Sequence, residues 1–552
     1  MRYNLFKKLH ADQAGFLLPA VLTFMIAMAI LSGAVLEVIL NNFNTVGNNQ
    51  DSQKAFNIAE AGENYYLWHL SHNATDFKDG QSTPTTPDPT LGYGPYVHNY
   101  VDGNGKTEGT FTLWIKPQGT GSTIATVRSI GKVNGSNVVR TIQAEIGAPS
   151  FASYAVASDS ALWFGSTESA DGPVQSNEGV RMDGPSNAEV SSSNATYTPA
   201  YANGGCSRGN CSHPGVWCDS SVTSPVDCST RNKSNWVYPV ASIDFNQVSS
   251  SLCTMKKVAF GDYSSTSSLA SQSNACSQTP TTRTNAYIPQ TSSGFSYSKG
   301  YLIVLRNTSP ATYDLYKVNG ENDTRSPYTS ALSLSTVATG ISLPPSGVIF
   351  AEDNVWVLSN GQFDGRITIA AGRLATNYNA DIVIAGPIQY KDKNGSDAIG
   401  LVAENSIFIA PYAPAASSGY SSGSFTFEVD GALLAENGEV QYGENGDSYN
   451  YSSGYRSSQY TCTQGWAGDN QQMLFYGSVA TRQLWTWTWD YGGSRCGNAA
   501  RVTSGSSAGD YISGIYNNTT QYDYSLQYAP PPSYPVTSGY NILAWREVLT
   551  KP

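Results

Sequence analysis

The chain begins with a short polar stretch and turns apolar without a break from Phe16 to Leu36. From there to its end it alternates short apolar runs with polar turns. As a helix, the first run would be about 32 Å long, enough to cross a bilayer core. Apolar positions continue past Glu37 at Val38, Ile39, Leu40, Phe43, Val46, Ala55, Phe56, Ile58, Ala59, Ala61, Leu67 and Leu70. Several fall at three- and four-residue spacing, and no proline lies between residues 20 and 83. One long helix over 16–72 is predicted, weakened near Gly47-Asn48-Asn49. Arg2, Lys7 and Lys8 precede the run and the next basic residue is Lys54. That bias puts residues 1–15 in the cytoplasm and the rest across the membrane. An ordinary secretory signal would be shorter and would lead into a loop.

Beyond the helix the period changes. Residues 73–94 read as a Pro/Thr/Gly linker, and strands are predicted at 95–101, 109–116, 123–133 and 137–146. Val133-Asn134-Gly135-Ser136 marks a hairpin between the last two. Residues 73–150 therefore read as a small antiparallel sheet. From 151 a glycine repeatedly precedes a short apolar stretch, as in Ala170-Asp171-Gly172-Pro173-Val174, Phe363-Asp364-Gly365-Arg366-Ile367 and Ile384-Ala385-Gly386-Pro387-Ile388. Ala398-Ile399-Gly400-Leu401, Val429-Asp430-Gly431-Ala432 and Phe475-Tyr476-Gly477-Ser478 continue the pattern. Such repeats predict a parallel β-solenoid starting at 151–200 and resuming at 341–490, each rung burying its apolar residues on the next. A β-sandwich of the same short strands is the alternative. Residues 201–340 read as a cysteine-rich inserted lobe and 491–552 as a Pro/Tyr-rich capping segment. The expected class is α+β: a long helix with a small antiparallel sheet, then a mainly β body.

Two segments resemble a known family. Ala14-Gly15-Phe16-Leu17-Leu18 is similar to the prepilin-type leader. Ala55-Phe56-Asn57-Ile58-Ala59-Glu60-Ala61 resembles the A-F-x-x-A-E-A segment of the PilX-like minor pilins of type IV pili. The resemblance covers about residues 10–70. It implies that a prepilin peptidase cuts between Gly15 and Phe16, that Phe16 becomes an N-methylated terminus, and that the helix packs with other pilins. Most pilins carry a glutamate at the fifth mature position, paired with the terminal amine of a neighbouring subunit. That position is Ala20 here. In related secretion pseudopilins the same loss marks the subunit that starts the fibre, so the resemblance implies a tip or initiating role.

Composition narrows the rest. The net charge of −11 over 552 residues argues against nucleic acid as the main partner, and 35 tyrosines with only 13% charged residues suit an extracellular β-protein. The cysteines are Cys206, Cys211, Cys218, Cys228, Cys253, Cys276, Cys462 and Cys496, an even set confined to the exported part, and they read as disulfides. The pairing of the first six is open, while Cys462 with Cys496 reads as a separate bridge. Zinc is a rival reading because His213 lies between Cys211 and Cys218, but no C-x-x-C pair occurs.

No catalytic constellation is evident. Acids such as Asp353, Asp364, Asp381 and Asp430 could line a face, but turn and edge roles are expected, as for Asp364 and Asp430, each of which precedes a glycine. Asp102, Asn104 and Glu108, and again Asp392, Asn394, Ser396 and Asp397, form oxygen-rich loops that are weak calcium candidates. Trp485, Trp487 and Trp489 alternate with threonines. On one strand their indoles would share a face, as a stacking platform or a buried seam.

The expected function is that of a PilX-like minor pilin supporting pilus assembly and surface adhesion, without a cofactor and without enzymatic activity. Its partners would be other pilins, the prepilin peptidase, the membrane, and a host-surface glycan or protein. The chain would cross the membrane once before assembly and stand on the cell surface afterwards. Two rival expectations are a membrane-anchored extracellular polysaccharide-active β-helix enzyme and a non-pilus envelope surface protein.

Overall fold

The computed structural model describes residues 17–72, 76–81, 86–117, 124–166, 168–199, 211–219, 227–262, 267–291, 299–321, 328–414, 424–442, 465–495, 499–503, 507–537 and 539–549. Two compact units emerge. One comprises Met1–Lys116, Thr126–Ile146 and Ile542–Pro552, and the other Pro117–Ala125 and Gly147–Asn541.

The first unit is built on one helix, α1 (Leu17–His72). Residues 18–50 are exposed throughout, and the burial pattern changes near 55. Ala55, Ile58, Ala59, Gly62, Glu63, Tyr66 and Leu70 are buried at three- and four-residue spacing, which is one helical face. That face packs on a sheet of β1 (Tyr93–Val101), β2 (Thr107–Pro117), β3 (Ile124–Val133) and β4 (Val139–Gly147), closed at its far edge by the strand Asn541–Val548. On β2 the alternation buries Phe111, Leu113 and Ile115. A Cβ at Gly131 would fall on the Ala55 carbonyl oxygen and 2.6 Å from Ala59 N, so only glycine lets helix and strand approach this closely. The four expected strands are thus present, and the C-terminal strand adds a fifth. Arg140 pairs with Glu547, and Phe56 meets Trp545 edge-on at 6.2 Å.

The second unit is a stack of parallel rungs. Along one face Ile349, Ile369, Leu401, Leu433, Val479, Val156, Val174 and Val190 are neighbours in register. All are essentially buried. Each is a β-branched or Leu residue that cannot leave water without the rung above and below, which is why the apolar repeat appears in the sequence. The pairing along this face is parallel, whereas Thr312–Glu321 pairs antiparallel with both Gly300–Arg306 and Leu332–Ser342.

The order of the rungs is not the order of the chain. The segment entering from β4 forms β5 (Val156–Ser158), which lies against Gln471–Thr481, and then β6 (Leu162–Phe164). The stack then grows outward through β7 (Val174–Ser176), β8 (Val180–Met182) and β9 (Val190–Ser192). The chain next starts again at the opposite end with Tyr287–Ile288 and Val348–Ala351, and climbs back to Gln471–Thr481. The segment read as an inserted lobe supplies parts of this stack. Trp236–Val237 pairs with β9, Tyr287–Ile288 pairs with Val348–Ala351, and Gly300–Arg306 pairs in parallel with Asn354–Asn360.

A helix, α2 (Gln247–Gly261), covers the outer side of the main sheet with Val248, Leu252, Met255, Ala259 and Phe260. Disulfides join Cys218 to Cys228 and Cys253 to Cys276, with Cα separations of 5.8 and 5.2 Å, and Cys211 is also disulfide-bonded. Cys206, Cys462 and Cys496 lie outside the described residues. The Pro/Tyr-rich tail runs over the main sheet: Arg366 donates to the Ala529 and Pro530 carbonyls, Thr368 to that of Pro532, and Tyr534 is buried.

Candidate functional site

The leading candidate is the exposed part of α1. Its 18-residue window of mean hydropathy 2.2 is wholly exposed, and among the described residues α1 is the one helix long and apolar enough to cross a membrane. Phe24, Met25, Ile30, Leu31, Leu36 and Phe43 are each more than half exposed. An apolar surface of this length has two stable environments, lipid or other helices. Ala20 lies within it and brings no charge, and the Thr23 hydroxyl donates to the Ala20 carbonyl at 2.9 Å. Gly15 and Phe16 lie outside the described residues.

The tryptophans do not form one platform. Trp485 ends a column of Tyr301, Val355, Ile382, Ile407 and Val440 in the second sheet of the stack. Trp487 is buried, packs on Phe475 at 5.3 Å, and donates from Nε1 to Thr520 Oγ1 at 3.2 Å. Trp489 belongs to a different strand, antiparallel to Tyr511–Ile515. The strand breaks at Trp487, and the Trp485 and Trp487 rings meet edge-on at 5.9 Å. Alternation along the sequence foresaw a shared face, but the rung turns a corner there.

The acids hold turns. Asp381 Oδ1 accepts from Asn405 Nδ2 at 2.8 Å and Ser406 N at 3.1 Å, and burial pushes its carboxyl up to about 7. Asp430 is also raised to about 7 by burial; it accepts from Tyr390 N and from Lys393 Nζ. Asp353 accepts from Thr291, and half-buried Asp364 pairs with Lys391. Under α2, Lys256 pairs with Glu352, and Ser249 donates to Glu436. Burial drives the Lys256 ammonium down and the Glu352 carboxyl up. Glu352 and Glu436 are buried beneath the helix.

The oxygen-rich loops are closed by their own backbone. Asp397 accepts from Gly365 N and Asp392 N, and Asn394 Oδ1 from Ser396 N. Asp102 Oδ1 accepts from Asn104 N and Lys106 N, while Lys106 salt-bridges Glu108 at 2.5 Å.

No described protein family and no curated protein matches this chain. Among solved structures it is similar to the crystal structure of the competence-associated pilin ComZ from Thermus thermophilus, at 11% identity and a TM-score of 0.25. The match covers 91% of this chain and 98% of that one.

Proposed function

We propose that the chain is a PilX-like minor pilin that starts or tips a type IV pilus or related fibre, with its β body as the exposed, adhesive part. One observation carries this reading. A single helix is bare and apolar over 18–50, then buries one face on a small sheet from Ala55 to Leu70. The bare part is a handle for lipid before assembly and for pilin helices after it, and the packed part fixes that handle to a folded head. The leader-like Ala14-Gly15-Phe16 and the uncharged Ala20 support processing and a leading position.

N-terminal sequencing of the mature chain tests the handle. A methylated Phe16 is expected, whereas an intact Met1 or a start beyond residue 36 overturns the reading. Replacing Gly15 by a bulky residue should leave the leader attached and lower the number of surface fibres severalfold. Unchanged piliation would remove the initiating role.

A further inference from the structure

The rung order of the body leaves a seam. On the main face, β5 pairs directly with Gln471–Thr481. At the corner the two rungs stay joined: Asp159 N donates to the Thr481 carbonyl at 3.0 Å and Ser160 Oγ to that of Arg482 at 3.0 Å. Four residues beyond the Ser158–Thr481 pair, Leu162 and Trp485 hold equivalent places, yet they are not ladder partners. Trp485 lies on the last strand of the eight-stranded sheet, and β6 begins a separate three-stranded one. The hydrogen-bonded ladder therefore lapses on this face, although Phe164 and Trp485 still meet there with ring centres 5.5 Å apart. A cleft of about 150 Å³ lies there, with Trp163, Phe164, Trp485, Trp487 and Thr520 in its lining.

We propose that this cleft binds one ring of a neutral saccharide, which gives a ligand class to the adhesive part of the reading above. Trp163 is an exposed, immobilised aromatic plate. It is 44% exposed, Nε1 donates to Asp183 Oδ2 at 3.1 Å, and the Arg181 guanidinium from the next rung lies 4.6 Å from its ring centre. Arg181 is the register partner of Trp163 on β8. A flat apolar plate bordered by polar groups suits the C–H face of a pyranose, whose hydroxyls point outward to the rim.

The rim has such groups to offer. Trp485 Nε1 is buried and meets no acceptor among the described residues, a donor that costs free energy until something accepts from it. Thr520 Oγ1 accepts from Trp487, which keeps its own proton free to donate. Glu168 Oε2 accepts from Gly165 N at 2.7 Å, and a carboxylate has the acceptor capacity for a hydroxyl as well. Among the described residues that line the cleft Glu168 is the one that carries a charge, and a carboxylate repels acidic sugars. Room for a single ring points to the end of a glycan, not to a peptide side chain with its backbone.

The test is a tryptophan-fluorescence titration of the detergent-solubilised full chain with the methyl glycosides of glucose, galactose, mannose and N-acetylglucosamine. The tripeptide Gly-Tyr-Pro is titrated in parallel. At least one glycoside should give a saturable change with a millimolar dissociation constant. Trp163→Ala should weaken it at least tenfold and Trp485→Phe, which keeps a ring and removes the donor, severalfold. Trp68→Ala, in the other unit, should leave it unchanged. If Trp163→Ala does not fold, Trp485→Phe decides the matter. No saturation by any glycoside up to about 100 mM, saturation by the tripeptide alone, or full binding by both cleft variants overturns the proposal. Because the titration needs no fibre, its failure would leave the initiating role standing. Normal fibre assembly by a chain that binds no sugar would separate the two readings.

Discussion

Asp381 shows how a buried polar residue tunes this body. Its carboxyl is inside the stack and accepts two hydrogen bonds from the rung that follows, so its task is to close a corner. Burial holds its folded value near 7, while an unfolded chain releases the proton near 4. Between those values unfolding releases a proton, so stability falls as pH rises through the window and levels off above it. Asp430 and Glu436, also raised to about 7, act in the same direction. Asp381→Asn keeps an oxygen to accept both bonds and removes the titration. Between pH 5 and 7 the unaltered chain should therefore lose about 2–3 kcal/mol more than the variant, measured by chemical denaturation at each pH. Parallel profiles for the two chains would sink this account.

At the scale of the elements, stacking depends on places where one backbone touches the next. Gly431 and Gly477 are register partners on adjacent rungs, with φ of +153° and +156°. A Cβ on Gly477 would fall on the Gly431 carbonyl oxygen and 2.7 Å from its carbon, and backbone cannot swing aside as a side-chain tip can. Gly477→Ala should destabilise the body by about 2–4 kcal/mol. Gly320→Ala, where nothing lies within 4 Å, should stay within about 0.5 kcal/mol. A denaturation midpoint for Gly477→Ala equal to that of Gly320→Ala would show that the rungs adjust freely.

These contacts also explain what was legible in advance. The α1 face and β1 to β4 were readable because periods of 3.6 and 2 are local properties of a chain. The glycine repeats announced rungs, and Gly172 and Gly477 do hold equivalent places, each two residues before a member of the same valine ladder. Which rung neighbours which was not readable, because Val156, Val479 and Leu433 present the same kind of surface to either side. Tyr301–Leu305 looked like an isolated run within 201–340, yet it is a rung strand whose partner lies some fifty residues on. The tryptophan-lined cleft was half legible for the same reason: Trp485 and Trp487 advertise themselves, whereas Trp163 is a lone residue that only the stacking of the rungs brings into the same lining.

The whole molecule joins a bare apolar rod to a body with a seam, and the two units suit different tasks. A body of about 400 residues would have a radius of gyration near 21 Å, bulky to repeat at every step of a thin fibre and easily carried once at its end. Under that reading Ala20 is the residue that keeps the chain at the end. A carboxylate there would be an uncompensated charge in an apolar environment unless the terminal amine of a neighbouring helix met it. Its absence removes both the cost and the guide for docking behind another subunit. Ala20→Glu restores the guide, so tagged chain should move from one label per fibre end to labels scattered along the shaft, or should shorten fibres as the bulky body interrupts them. Immunogold labelling of sheared fibres reads either result. Labels confined to the ends in both chains, with fibre length unchanged, would mean that position 20 does not set where the subunit sits. Size alone would then have to account for a terminal place. The Asp381 and Gly477 variants leave α1 untouched, so they should alter body stability without moving the label, which separates what holds the body together from what positions it.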